Sequence, residues 1–267
     1  MSSQVRLARN YVSRLQKIIS GLEFIPRNVH RFPFDSMATQ SMSKAFALAK
    51  AILLLIDTGF PDEAYGLSRS LAECSVGLRY ITADPEKLER RTREFVYYDQ
   101  IEQNYWLDQS RQHLSDPALR QEIESSQLAK ELDARHLNPK DAYRHWSTHR
   151  AFIWEAMTLD HPLDGITNTP QQRKQAYAID YHAPSQYVHC SQRGLNNYFH
   201  DPGSVYAVSE GRTMVADNTA PKALFIVCMY LHLTVCYALF GLNVDRPNKV
   251  DKLFSKAIAP FVSSRAE

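Results

Sequence analysis

Apolar residues recur along this chain at three-to-four-residue spacing through long windows, while strict alternation of apolar and polar positions is scarce. That period stacks side chains on one face of a helix, so the pattern predicts a succession of amphipathic helices. Val5, Leu7, Tyr11, Leu15, Ile18, Ile19 and Leu22 form the first stripe. A second helix is predicted from about Thr39 to Asp57, where Phe46, Ala47, Ala51, Ile52, Leu54 and Leu55 give a face wide enough for a core, and Gly59 supplies its stop. Pro61 suits the first turn of a third helix, whose stripe is Tyr65, Leu67, Leu71, Cys74, Leu78 and Ile81.

Further helix entries share one device. Asp84-Pro85, Asp116-Pro117 and Thr169-Pro170 each pair a side chain that can accept from a helix's first N–H groups with a proline preset for helical φ. The segment after Pro85 turns Phe95, Tyr98, Ile101, Tyr105 and Trp106 inward, whereas Leu119 to Leu132 is weakly apolar and is expected at the periphery. Asn138-Pro139 opens a short helix with Tyr143 and Trp146, and His161-Pro162-Leu163-Asp164-Gly165 reads as a loop. From Pro170 to Tyr198 one or two helices are expected, with Pro184 kinking a continuous helix or starting a new one. Asp201 to Ala220 is a small hairpin, within 204–216, or an irregular loop. An apolar helix near Lys222 to Gly241 and a closing helix from about Asn248 to Phe261 complete the chain. The predicted fold is all-α: an irregular multi-helix bundle forming a single domain over 1–267, with a long loop or small hairpin before the apolar C-terminal helix.

Composition narrows the class without naming a function. Apolar residues at 44% and charged residues at 22% are globular values, too hydrophobic for disorder. A net charge of +2 gives no overall field that would attract nucleic acid or an anionic membrane. Ala223 to Phe240 approaches the length and apolarity of a bilayer span, but it carries His232 and Thr234 and lacks basic flanks, so a buried central helix is expected. Cys74, Cys190, Cys228 and Cys236 form no C-x-x-C pair, and the charged amphipathic N-terminus has no secretory pattern. Together these features predict a cytoplasmic protein outside any membrane.

The strong catalytic signatures are absent: there is no phosphate loop, dinucleotide-binding turn, H-E-x-x-H helix, nucleophile elbow or E-x-x-H pair. No cofactor and no metal are therefore expected. Two constellations remain. Arg69 and Glu73 lie one turn apart on the third helix, close to its core face, either as an exposed ion pair or as a polar site turned inward. Later, Tyr181, Ser185, His189 and Arg193 follow at four-residue spacing, so a helix there stacks a hydroxyl, an imidazole and a guanidinium on one side. His189 in that row could exchange a proton near neutral pH, or serve as a packed core histidine. The run Arg90-Arg91-Thr92-Arg93, flanked by Glu89 and Glu94, reads as solvated helix surface.

The combination R-x-L-x-E at Arg69, Leu71 and Glu73 with Y-x-x-x-S-x-x-x-H at Tyr181, Ser185 and His189 resembles a broad bacterial family of helical domains of unknown function, over roughly Met42 to Tyr198. What the resemblance implies is a helical cytoplasmic domain whose marked polar residues gather between helices. The chain thus carries a candidate interhelical pocket. In it His189 and Glu73 are the candidate catalytic groups and Arg69, Ser185, Tyr181 and Arg193 the ligand-binding ones, for a small anionic or nucleotide-like molecule. A non-catalytic interaction module of a stress or phage-defence system, with a protein partner, is the alternative. A further alternative resembles the metal-independent HEPN ribonucleases, which carry R-x(4–6)-H on one helix. Arg144 with His149 and Arg193 with His200 match that spacing and would face each other across a possible homodimer groove, with RNA as the partner.

Overall fold

The computed structural model describes residues 3–22, 33–93, 95, 109, 111–113, 115–125, 156–164, 169–188 and 219–263. Its elements are α1 (Ser3–Ser20), α2 (Pro33–Asp57), α3 (Pro61–Thr82), a 3₁₀ turn (Pro85–Lys87), α4 (Pro117–Ser125), α5 (Pro170–Ala176), a π-helical turn (Tyr177–His182), α6 (Ala183–Val188), α7 (Thr219–Gly241) and α8 (Asn248–Ser263). The fold is all-α, with no strand among the described residues. The hairpin region 204–216, the helix after Asn138 and the aromatic run from Tyr98 to Trp106 lie outside the described residues.

The core sits where α7 crosses α3 and α2. α7 is apolar all round, and Leu224, Ile226, Val227, Leu231, Val235 and Leu239 are all buried. A helix that is hydrophobic on every face must be wrapped by others. Here α3 and α2 cover α7 on one side, and α1 and α8 pack against it as well. α2 and α7 are each long and apolar enough to cross a bilayer, but 83% of the α7 window is packed inside the fold. By contrast α4 buries no residue, in keeping with its weak stripe.

The helix boundaries follow local chemistry. α2 begins at Pro33, earlier than the predicted Thr39, because Phe34, Met37 and Ala38 are already buried. It ends where Phe60 N–H reaches back to the Leu55 carbonyl at 2.8 Å while Gly59 takes a φ of 90°, a left-handed position that glycine holds without Cβ strain. α7 closes in the same way with Asn243 at φ 55° and Val244 N–H bonded to the Leu239 carbonyl at 2.9 Å. The capped entries are all present. Asp84 accepts from Glu86 N–H, Asp116 accepts from Ala118 N–H at 2.9 Å, and Thr169 and Gln172 form a reciprocal capping box.

The π-helical turn resolves the question raised by Pro184. In a π-turn each N–H bonds five residues back, and Ala183 N–H does so, to the Ala178 carbonyl. Pro184 has no N–H to give to the next carbonyl, that of Ile179, and the Tyr65 hydroxyl takes its place at 3.1 Å. The proline neither breaks the helix nor opens an independent one. It leaves a backbone acceptor that ties this segment to α3.

Candidate functional site

The π-turn presents two consecutive buried polar residues, Asp180 and Tyr181, to two different helices. Tyr181 meets α3: Arg69 Nη2 donates to the Tyr181 hydroxyl at 3.0 Å and the guanidinium carbon lies 4.9 Å from the ring centroid. Arg69 Nε donates to Glu73 Oε1 at 2.9 Å, so the i,i+4 pair forms, with side chains only 16% and 29% exposed. Tyr177 stacks on Tyr181 with ring centroids 5.5 Å apart. Burial pushes the Tyr181 phenol up to about 12 against the pull of Arg69, which keeps it a neutral donor and acceptor at physiological pH.

Of the residues singled out in the sequence, Arg69, Glu73 and Tyr181 therefore come together. Ser185 is one turn further on, and its hydroxyl donates to the Tyr181 carbonyl at 2.7 Å, a back-bond within the helix. His189 and Arg193 lie outside the described residues, as do Arg144, His149 and His200. The basic run divides in a way its charge pattern did not foretell. Arg93 is exposed and pairs with Glu89, but Arg91 is buried over the Tyr80 ring and donates to the Tyr80 carbonyl at 2.6 Å, and Thr92 is fully buried. Solvated surface is thus the wrong description of Arg91 and Thr92, because their register continues the core face.

Asp180 points the other way. Its Oδ2 accepts from the Tyr230 hydroxyl of α7 at 3.2 Å, and it lines a cleft of about 710 Å³ between α3, α5, the π-turn, α7 and α8. That volume falls in the range of small-molecule sites, roughly 300–1,000 Å³. At one end stands Arg79, a buried cation on α3. It donates to both carboxylate oxygens of Asp164, to the Tyr237 hydroxyl at 2.7 Å, and to the carbonyls of Ala156 at 3.1 Å and Leu159 at 2.6 Å. Burial works against its charge, but the bonds to Asp164 and Tyr237 hold the guanidinium above its ordinary pKa. The buried Arg173 of α5 bonds Asp160 at 2.8 Å and approaches Asp164 at 3.7 Å.

His161 completes this end. Leu163 N–H donates to its Nδ1 at 3.0 Å, so the proton is on Nε2, which donates to Thr82 Oγ1 at 3.0 Å; the Thr82 hydroxyl in turn donates to the Leu78 carbonyl at 2.7 Å. Burial and the neighbouring Arg79 push the imidazole down to about 4. The segment read as a loop is indeed one, but it is clamped against the core by its polar side chains. At the far end of the cleft His232, Cys236, Arg246, Asp251 and Phe254 form the wall.

None of Arg79, Asp164, Asp180 or the His232–Cys236 pair was identified in the sequence as a site residue. Arg79 stood inside an apolar stripe and Asp164 inside a turn, so neither carried a local signal. The spacing His232 to Cys236, one helical turn, was the available clue.

Fold and site together define an all-α multi-helix domain with a polar cleft walled by a π-turn. The chain belongs to the family of unknown function DUF5677, whose match covers residues 35–204 and so includes α2, α3 and the π-turn with both polar motifs. No curated protein and no solved structure matches the chain.

Proposed function

We propose that this protein binds a small ligand carrying an anionic group, a nucleotide being the best match, in the cleft between α3, the π-turn and α7. The observation that carries the reading is the π-turn itself. It spends backbone regularity to bring Asp180 to the cleft wall and Tyr181 to Arg69, and π-turns are found frequently at functional sites. The cleft lining balances three arginines, Arg79, Arg173 and Arg246, with three aspartates, Asp164, Asp180 and Asp251. A balanced lining of this kind suits a ligand with both an anionic group and neutral hydrogen-bonding edges. Arg69 with Glu73 and Tyr181 forms a supporting cluster behind that wall. The extensive burial of α7 supports a soluble protein.

Thermal unfolding of the full chain with and without nucleoside mono- and triphosphates tests this. A ligand at about a hundred times its Kd stabilises by about 2.7 kcal/mol, enough to raise the midpoint by roughly 5 °C or more in a domain of this size. Asp180→Asn should remove most of that rise. A separate groove of about 370 Å³ between α1 and α8 is lined by Arg14, Lys17, Lys249, Lys252 and Lys256 and could hold phosphate by charge alone. A rise that survives Asp180→Asn and disappears with Lys252→Ala would move the ligand to that groove and end the cleft reading.

A second reading rests on the mutual satisfaction of Arg69, Glu73 and Tyr181: the cluster is a strut that fixes helix register, and the domain is an interaction module. It requires Arg69→Ala to cost stability while nucleotides leave the transition of the unsubstituted protein unmoved.

A further inference from the structure

At the α8 end of the cleft, the Schellman-like close of α7 at Asn243 brings the first turn of α8 back against the last turns of α7. His232 and Cys236, one turn apart on α7, thereby face Asp251 of α8. His232 Nε2 lies 3.4 Å from Cys236 Sγ and 3.5 Å from Asp251 Oδ1, and the three donor atoms all fall within 4.8 Å of one another. We propose that these three side chains bind a divalent transition metal, zinc being the best match.

The edges of a coordination tetrahedron make the case. Zinc bonds of about 2.3 Å to sulfur and about 2.0–2.1 Å to imidazole nitrogen and carboxylate oxygen separate S from N by about 3.6 Å and N from O by about 3.4 Å. The observed N–S and N–O separations of 3.4 Å and 3.5 Å lie close to those values, and the remaining edge, within 4.8 Å, closes onto a shared ion by rotation of the 44% exposed Asp251 side chain. A thiolate, an imidazole and a carboxylate are also a donor set suited to zinc rather than to magnesium or calcium, which take oxygen ligands. Among the described residues this is the one cluster of three or more His, Cys, Asp and Glu donors so arranged.

The surroundings fit a metal site. Phe254 stacks on the His232 ring at 4.0 Å with the planes only 8° apart, which fixes the direction of Nε2. Arg246 donates to Cys236 Sγ at 2.9 Å and pairs with Asp251 Oδ2 at 3.2 Å, leaving Oδ1 toward the imidazole. It touches both anionic ligands, as outer partners that orient metal ligands do. The buried Tyr11 hydroxyl, on a ring that packs against Phe254, has no hydrogen-bond partner among the described residues. Burial pushes the Tyr11 phenol well above its ordinary pKa, so it stays a neutral hydroxyl. A water on the metal would give that hydroxyl a partner. His232 and Cys236 are buried while Asp251 is 44% exposed, so the ion has a route in from the surface. As the metal–sulfur bond forms, the thiol proton leaves to solvent and the neutral imidazole loses none. Three protein ligands leave a fourth position for water, as in reactive rather than purely structural zinc sites. The site stands on its own geometry, whatever occupies the rest of the cleft.

Cobalt(II) and zinc(II) titration of the reduced, chelator-stripped full chain tests the proposal. One cobalt per chain should bind saturably at micromolar metal, with the thiolate-to-cobalt charge-transfer absorption that only a cysteine ligand gives, and zinc should displace it. Cys236→Ser should remove that absorption, and Asp251→Asn should weaken binding. The charge-transfer band is read on the unsubstituted protein, so the result does not depend on any variant folding. No saturable binding, or bound cobalt without that band, overturns the site.

Discussion

Arg79 illustrates what a buried charge demands of its neighbours. Its five hydrogen bonds reach Asp164, Tyr237 and two carbonyls, so removing it takes both guanidinium bonds from a carboxylate that is 12% exposed and leaves it the longer approach of Arg173. Breaking a buried pair from one side costs about 3–5 kcal/mol. Arg79→Met should lose that much in denaturant unfolding, and Arg79→Lys should recover only a small part, because an ammonium cannot span both oxygens of Asp164. A near-neutral Arg79→Met would show that the clamp contributes little. His161 gives a pH signature of defined sign. Its pKa is pushed down to about 4 in the fold, while in the unfolded chain it sits near the ordinary 6.5. The unfolded state therefore takes up the extra proton between those values, and the stability that the neutral ring contributes is full above about pH 6.5 and lost as pH falls toward about 4. The loss is at most about 3 kcal/mol. His161→Gln, which cannot titrate, should flatten that part of the stability–pH curve; an unchanged slope would mean the ring takes up its proton at the same pH in the folded and unfolded chain. At this scale the sequence was only partly legible. Arg69, Glu73 and Tyr181 stood out because their spacing was regular, whereas Arg79, Asp164 and Asp180 acquire their roles from partners tens of residues away.

Elements were the most legible level, since caps and breakers act within a few residues. The Asp-Pro and Thr-Pro starts and the glycine stop of α2 all appear as read. The π-turn did not, because its only local trace is Pro184, which reads equally as a kink or a start. The extra residue of the π-turn sets the angle between α5, which carries Arg173 to Asp160, and the residues that meet Arg69 and Tyr230. Deleting Ala178 should restore an α-helical turn and force one of those sets out of register. Such a deletion should cost at least about 2 kcal/mol, visible as a lowered denaturant midpoint at unchanged slope. An unaffected midpoint would show that the turn is not required. Gly241 makes a second test of element packing. A Cβ there would overlap the Phe34 ring of α2 and meet the Thr82 methyl of α3 at 2.7 Å, so the end of α7 is held at contact distance from both. Gly241→Ala should destabilise by about 1–3 kcal/mol through overpacking, where the helix propensity of alanine alone would stabilise. A gain in stability would mean that the three helices are less close than described.

Among the described residues α1, α2, α3 and α8 pack around α7, and the cleft exists only through long-range assembly. Its walls come from α3, α5, the π-turn, α7 and α8, and no local pattern in the chain encodes that meeting. The all-α class was legible because periodicity is a local property summed over many windows. The site was legible only as two separated polar rows, one of which continues past the described residues at His189. What ties the rows together is the approach of α3 to the π-turn across more than a hundred residues of sequence. A double-mutant cycle on that contact is the most direct test: unfolding free energies for the full chain, Arg69→Met, Tyr181→Phe and the double variant. Side chains in hydrogen-bond contact should give a coupling energy of about 0.5–3 kcal/mol, so the double variant loses less than the two single losses combined. Losses that add to within about 0.3 kcal/mol would mean that the two side chains do not meet, and the shared cleft wall built on them would fall with that contact.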